Sequence, residues 1–400
     1  MTMQPRQGPL SGLVVVDLGQ IYNAPYCTFL LARAGATVIK VEPPGGENMR
    51  RRGVVGGAML PFAMLNSDKT FVTLNLKSER GKALLRDMAS RADVLVENFA
   101  PGVMDRLGVG PDALRALNPR LVYAASSGYG WSGPYRDYPA MDLTVQAMSG
   151  VMSSTGEPDG PPTKAGPALC DFFAGVHLYG AVTTALFERS VTGKGRFVEV
   201  SMLESVYCSL SSSLGLWFGS GGQGPARTGN RHGGLAEAPY NVYPTADGWL
   251  ALICVTDVHW ASLTEAMGRP ELRTDARFTT LKDRVANMDA VDHLVSSWTR
   301  GFDKESLFQT LMRHRVPCAP VRELGEVVND RHLHARGGLR RVSHPTLGEI
   351  VLPTGAMRFG EEPPPLSPSK ALGADNEEVY RGWLGLSAEE FAAAGAEGAF

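Results

Sequence analysis

The chain has 400 residues, 44% of them hydrophobic, which is more than one hydrophobic core usually organises, so a large domain with a smaller companion is expected. Lys plus Arg number 39 against 41 Asp plus Glu, with no long block of either sign, which excludes nucleic acid as the expected partner. The five cysteines are scattered without a C-x-x-C pair and are odd in number, which argues against a disulfide framework and for a reducing compartment. The start, MTMQPRQGPLSG, lacks the apolar stretch of a signal peptide, and no uninterrupted apolar run is read as membrane-spanning, so a cytosolic protein away from the membrane is expected.

In chain order, LVVVDL from Leu13 reads as a strand, Asn23 with Pro25 as a helix start, and TVIKVE, after a turn at Gly35, as a second strand. The alternation continues through VTLNL, a helix opened by Ser78, the strand DVLVENF, a short helix after Pro111 and the strand LVYAAS. Such alternation predicts an α/β fold with a parallel sheet covered by helices on both faces. DFFAGVHLYGAVTTALFER then reads as a core helix and FVEVSM as a strand. The stretch GSGGQGPARTGNRHGG reads as a linker or mobile loop. From Pro239 to Pro320, a strand pair around ADG and helices in WASLTEAMG and ESLFQTLMRHR predict a small α/β domain. The expected organisation is therefore a large domain over 10–205, a linker with a glycine-rich loop over 206–238, a small domain over 239–320, and a linker returning to the large domain over 321–400. The proline-rich EEPPPLSPSK reads as an extended strap.

GYGWSG at Gly128 to Gly133 matches a dinucleotide fingerprint in letters only, because Pro134 and Pro139 stand where that fingerprint needs a helix. GKGR at Gly193 lacks the upstream glycine and the hydroxyl of a phosphate-binding loop. The histidines show no zinc spacing, so no metal is expected, and no G-x-S-x-G elbow is present. Asp171 remains, preceded by GPALC and followed by the long apolar helix. It is either an N-cap that stabilises the helix or a carboxylate held ionised by the helix N-terminus and able to attack a thioester. Cys170 is the rival nucleophile, with no histidine near it in sequence.

The blocks PLSGLVVVDLGQ, LLARAGATVIKVEPPGG, VENFAPGVMDRLG, LNPRLVYAASSGYG, MDLTVQAMSGVMSSTG, GPPTKAGPALCDFFAGVHL and TGKGRFVEVSMLES, in this order, resemble class III CoA-transferases. The resemblance implies Asp171 as the covalent nucleophile of a transferase that moves coenzyme A from an acyl-CoA to a small carboxylic acid. It further implies CoA contacts at Ile21, Tyr22, Asn23, Leu74, Asn98, Phe99 and Arg106, and an active-site glycine loop at Gly233 and Gly234. A Rossmann-like large domain, a small α/β domain and an interlocked homodimer follow from the same resemblance. Two departures stand out. A basic residue that some relatives carry after the second strand is Pro43 here, which shifts the expected phosphate contacts toward Lys40, Lys69 or Arg106. The histidine that serves the racemase branch is replaced by Met141, which argues against the alternative of an α-methylacyl-CoA racemase. The other alternative is a non-catalytic CoA-binding protein.

Overall fold

A computed structural model of the chain describes residues 7–52, 57, 59–360 and 365–400. Residues 1–6 of the N-terminal stretch and 361–364 of the proline-rich strap lie outside the described residues. The chain divides into two compact units, one made of 1–145, 167–206 and 328–400, the other of 146–166 and 207–327.

The first unit is built on a six-stranded sheet: β1 (Val14–Asp17), β2 (Thr37–Glu42), β3 (Thr70–Thr73), β4 (Val94–Glu97), β5 (Val122–Ser127) and β6 (Phe197–Ser201). All neighbours pair in parallel in the order β3-β2-β1-β4-β5-β6. This is the doubly wound order, with its switch between β1 and β4, where ligands collect at the carboxyl ends of the strands. The strands are short runs of Val, Ile, Leu and Ala whose alternate residues feed two cores, one on each face of the sheet. On one face lies α1 (Asn23–Arg33), and on the other α2 (Glu79–Arg91), whose Ser78 hydroxyl accepts from Gly81 N at 3.0 Å as the cap read from the sequence. Two short helices follow β4, α3 (Val103–Arg106) and α4 (Pro111–Leu117), the second begun by proline at its first position.

Between β5 and β6 the chain forms α5 (Asp142–Ser149) and the 24-residue α6 (Leu169–Thr192). Helix α6 lies against α1 so closely that a Cβ on Gly175 would come within 2.7 Å of the Asn23 carbonyl oxygen, and it ends at Gly193 in the left-handed region. By length and composition α6 could cross a membrane, since an 18-residue window of it has mean hydropathy 1.3. This corrects the expectation that no segment is apolar enough, since its scattered Gly, Thr and His residues concealed the run. Its buried side, Ala174, Leu178, Val182 and Ala185, nevertheless faces the sheet as a core helix would.

In the second unit, helix α7 (Ser211–Gly219) precedes a three-stranded antiparallel sheet of β7 (Tyr240–Pro244), β8 (Trp249–Ile253) and β9 (Cys318–Pro320). Helices α8 (Asp257–Ala266), α9 (Met288–Thr299) and α10 (Lys304–Arg313) complete it around a core containing Tyr243, Trp260 and Phe278. The returning chain adds the hairpin β10 (Leu339–His344) and β11 (Gly348–Pro353) to the first unit.

Candidate active site

Asp171 is the third residue of α6 and is nearly closed off from solvent. It is not the N-cap: that position is Ala168, which offers no side-chain oxygen. The cap comes from Asp142, 29 residues upstream, whose Oδ1 accepts from Cys170 N at 2.9 Å and Asp171 N at 3.3 Å. The helix N-terminus is thus already occupied by one carboxylate when the Asp171 side chain arrives as a second. Burial and the Asp142 charge push the Asp171 carboxyl up to about 7, the opposite of the ionised group expected from the helix terminus alone. Cys170, the rival thiol, is fully buried.

The loop after β1 approaches this carboxylate. Tyr22 stacks on Phe172 with centroids 5.9 Å apart, and its hydroxyl is shifted up by burial and then by the Asp171 charge. Ile21 holds φ at 66°, an uncommon conformation for a β-branched residue, with its N–H donated to Glu47 Oε2 at 3.2 Å. Asn23 donates from Nδ2 to Ser126 Oγ at 2.8 Å, while its buried Oδ1 has no partner among the described residues. Asn98 takes a supporting place: its amide exchanges two hydrogen bonds with the Gln20 backbone, at 2.8 and 2.9 Å, and fixes the loop across the β1–β4 switch.

A cavity of about 380 Å³ opens at the carboxyl ends of β1 to β4. Leu74, Phe99 and Arg106 line it, as does Pro43; Lys77 and Gln20 do so as well and were not singled out from the sequence. Lys77 follows VTLNL directly, so its place beside Leu74 was the available signal. Lys40 and Lys69 do not reach it. Lys69 is buried with Nζ bonded to Asp17 Oδ2 at 2.8 Å, Thr28 Oγ1 at 2.8 Å and Asn66 Oδ1 at 2.9 Å, and Lys40 is buried against the Gly19 carbonyl. Lysines inside parallel strands and at their starts point into the layer between sheet and helix, and here that layer supplies Asp17 as counter-charge.

Gly233 and Gly234 belong to the second unit. They lie against the start of α7, where a Cβ on Gly233 would stand 3.2 Å from Ser213 Oγ and one on Gly234 3.2 Å from the Ser212 carbonyl. His232, missed by sequence reasoning, fastens the turn: its Nδ1 accepts from Gly234 N at 3.2 Å and Ala236 N at 3.4 Å. Arg231 anchors the preceding residue to Asp289 and Asp292 on α9, at 2.6 and 2.7 Å. Among the described residues, no group of three His, Cys, Asp or Glu side chains is arranged to hold a metal.

The profile described as CoA-transferase family III matches residues 10–376. Acetyl-CoA:oxalate CoA-transferase of Acetobacter aceti is 41% identical over 83% of this chain and 86% of its own. Formyl-CoA:oxalate CoA-transferase of Streptomyces coelicolor is 36% identical over 95% and 96%. The crystal structure of a CAIB/BAIF family protein from Brucella suis superposes with a TM-score of 0.82 at 32% identity, covering 95% of this chain and all of that one.

Proposed function

The chain belongs to CoA-transferase family III, and on that premise we propose that it moves coenzyme A from an acyl-CoA to a free carboxylic acid by covalent catalysis at Asp171. The observation that carries this reading is a buried carboxylate, pushed up to about 7, at the first turn of α6 beside the loop of Ile21, Tyr22 and Asn23. A more basic carboxylate is a better nucleophile once ionised, and burial spares it much of the water that would otherwise have to be removed. An oxygen of Asp171 attacks the donor carbonyl and expels the CoA thiolate, giving a mixed anhydride. The thiolate attacks the aspartyl carbonyl and releases the donor acid, leaving an aspartyl-CoA thioester. The acceptor carboxylate then displaces the thiolate from that thioester to form a second anhydride. Attack of the thiolate on its acyl carbonyl yields the new acyl-CoA and restores Asp171. Thioester energy is conserved from start to end, so ATP has no role to fill.

In this reading CoA lies along the cavity of Leu74, Phe99 and Arg106, with Ile21, Tyr22 and Asn23 leading toward Asp171 and Asn98 bracing their loop. The first unit carries the CoA site, the residues 239–320 form the small domain, and Gly233 and Gly234 belong to a glycine loop assigned to the active site by the resemblance alone. Oxalate and other small dicarboxylates are the acceptors that the names of the relatives support. The cytosol, where acyl-CoA is handled, is the proposed location. Racemisation is disfavoured by Met141, an exposed thioether where a second acid/base group would be needed. A panel of acyl-CoA donors against carboxylic acids, read by mass, tests the proposal. Transfer to a dicarboxylate supports it; α-proton exchange without any acceptor acid would place the protein with the racemases, and binding without exchange would leave a non-catalytic CoA-binding protein.

A further inference from the structure

We infer that Arg136 is a further phosphate-binding cation at the rim of the CoA cavity, acting beside the lining residue Arg106 across the backbone of Gly102, an assignment that rests on the proposed binding of CoA along that cavity. CoA carries a 5′-diphosphate and a 3′-phosphate, and several phosphate oxygens call for more than one cation. Pro43 supplies none, Lys40 and Lys69 are sealed within the first unit, and Lys77 and Arg106 are the two cations in the cavity lining. Gly102, in the left-handed region with φ 77°, immediately precedes α3. A Cβ placed on it would stand 3.2 Å from Arg106 Nη1 and 3.7 Å from Arg136 Nη2. Two guanidinium groups, one from α3 and one from the loop after β5, therefore converge on a single stretch of backbone.

Neither charge is answered by a buried or tightly held carboxylate. The adjacent Asp105 lies against Gly110, where a Cβ would come within 1.9 Å of its Oδ1. Arg136 has Asp137 at 4.0 Å, with both side chains open to water, and among the described residues no carboxylate pairs with Arg106. Like charges held together with only a loose, solvated counter-charge favour an incoming anion. The loop is also held in shape: Arg136 N donates to the Gly133 carbonyl at 3.3 Å and Tyr138 N to the Tyr135 carbonyl at 2.9 Å. The rings of Tyr129, Tyr135 and Tyr138 pack on one another, with the Tyr135 and Tyr138 centroids 5.2 Å apart. Arg136 thus projects from a braced aromatic loop toward the residue that opens α3.

The test measures binding of free CoA and of 3′-dephospho-CoA to the full-length protein, wild type against Arg136→Gln and Arg106→Gln, with steady-state KM and kcat for the best donor. Arg136→Gln is expected to weaken CoA binding and raise KM about tenfold, as loss of a charge-assisted contact does, while kcat stays within about twofold. A loss seen with CoA but not with 3′-dephospho-CoA assigns Arg136 to the 3′-phosphate; an equal loss with both assigns it to the diphosphate. If Arg106→Gln weakens binding and Arg136→Gln binds both ligands as the wild type does, the assignment of Arg136 is overturned while the CoA cavity stands. If the wild type binds neither ligand, the proposed CoA cavity fails with it.

Discussion

Asp171 sits two residues inside α6, with its ionised form disfavoured first by burial and then by the Asp142 carboxylate that caps the same helix. With its carboxyl raised from 3.8 to about 7, the protonated form carries the folded protein's preference. Stability from this group is full below pH 4 and is lost as pH rises to about 7, so Asp171→Asn should gain on the wild type across that window and hold its gain above it. Because Asp142 is the cap, Asp171→Ala forfeits no capping energy, contrary to what a sequence-based N-cap would cost. Catalysis has the opposite requirement, since only the anion attacks: kcat/KM of the wild type should fall below about pH 7. Asp142→Asn keeps an oxygen for the two N–H groups and removes the neighbouring charge, so the acid limb should move to lower pH with the melting temperature little changed; a limb that does not move would show burial alone sets it. Asp171 could be singled out because a lone acid stands before an apolar helix, with its proposed role taken from the resemblance, whereas the capping by Asp142 could not be read, because the contact spans 29 residues and no local pattern encodes it. Lys40 and Lys69 misled for a related reason: sequence shows a cation near the site but not the buried Asp17 that absorbs one of them.

At the scale of elements, the parallel strands and capped helices could be read because apolar runs, Ser78 and Pro111 are local signals. Helix α6 was legible in its extent but not in its two faces. Its inner side is core, yet Phe187 and Val191 on the outer side are 73% and 76% exposed. Large apolar side chains at that exposure on a long helix are a surface that a second chain would bury, and the interlocked homodimer expected from the resemblance would supply one. Rings threaded through each other cannot part without unfolding, so the species seen by light scattering should remain a dimer on dilution until denaturant unfolds it. A folded monomer at low concentration would count against the interlock. The glycine loop was legible as a break in pattern, but its fastening was not: Arg231 reaches Asp289 and Asp292 on a helix remote in sequence, and the local bonds from Gly234 N and Ala236 N to His232 follow no motif that a sequence shows.

At the scale of the molecule, the order β3-β2-β1-β4-β5-β6 brings the loop after β1, the cavity at the ends of the first four strands and the start of α6 to one edge of the first unit. That convergence follows from right-handed crossovers around a switch point and needs no special contact to explain it. Alternating strands and helices therefore foretold the parallel sheet whose carboxyl ends border the cavity, while which residues line it depended on side-chain directions no periodicity records. The central claim is covalent catalysis by Asp171. Its most direct measurement is intact-mass and peptide mapping after incubation with an acyl-CoA donor, with hydroxylamine added to capture an activated carboxylate. A CoA adduct and a hydroxamate are expected at position 171 in the wild type, and neither in a folded, inactive Asp171→Asn variant. Near-normal transfer by Asp171→Asn together with loss of transfer in Cys170→Ala would contradict it and pass the role of nucleophile to the thiol.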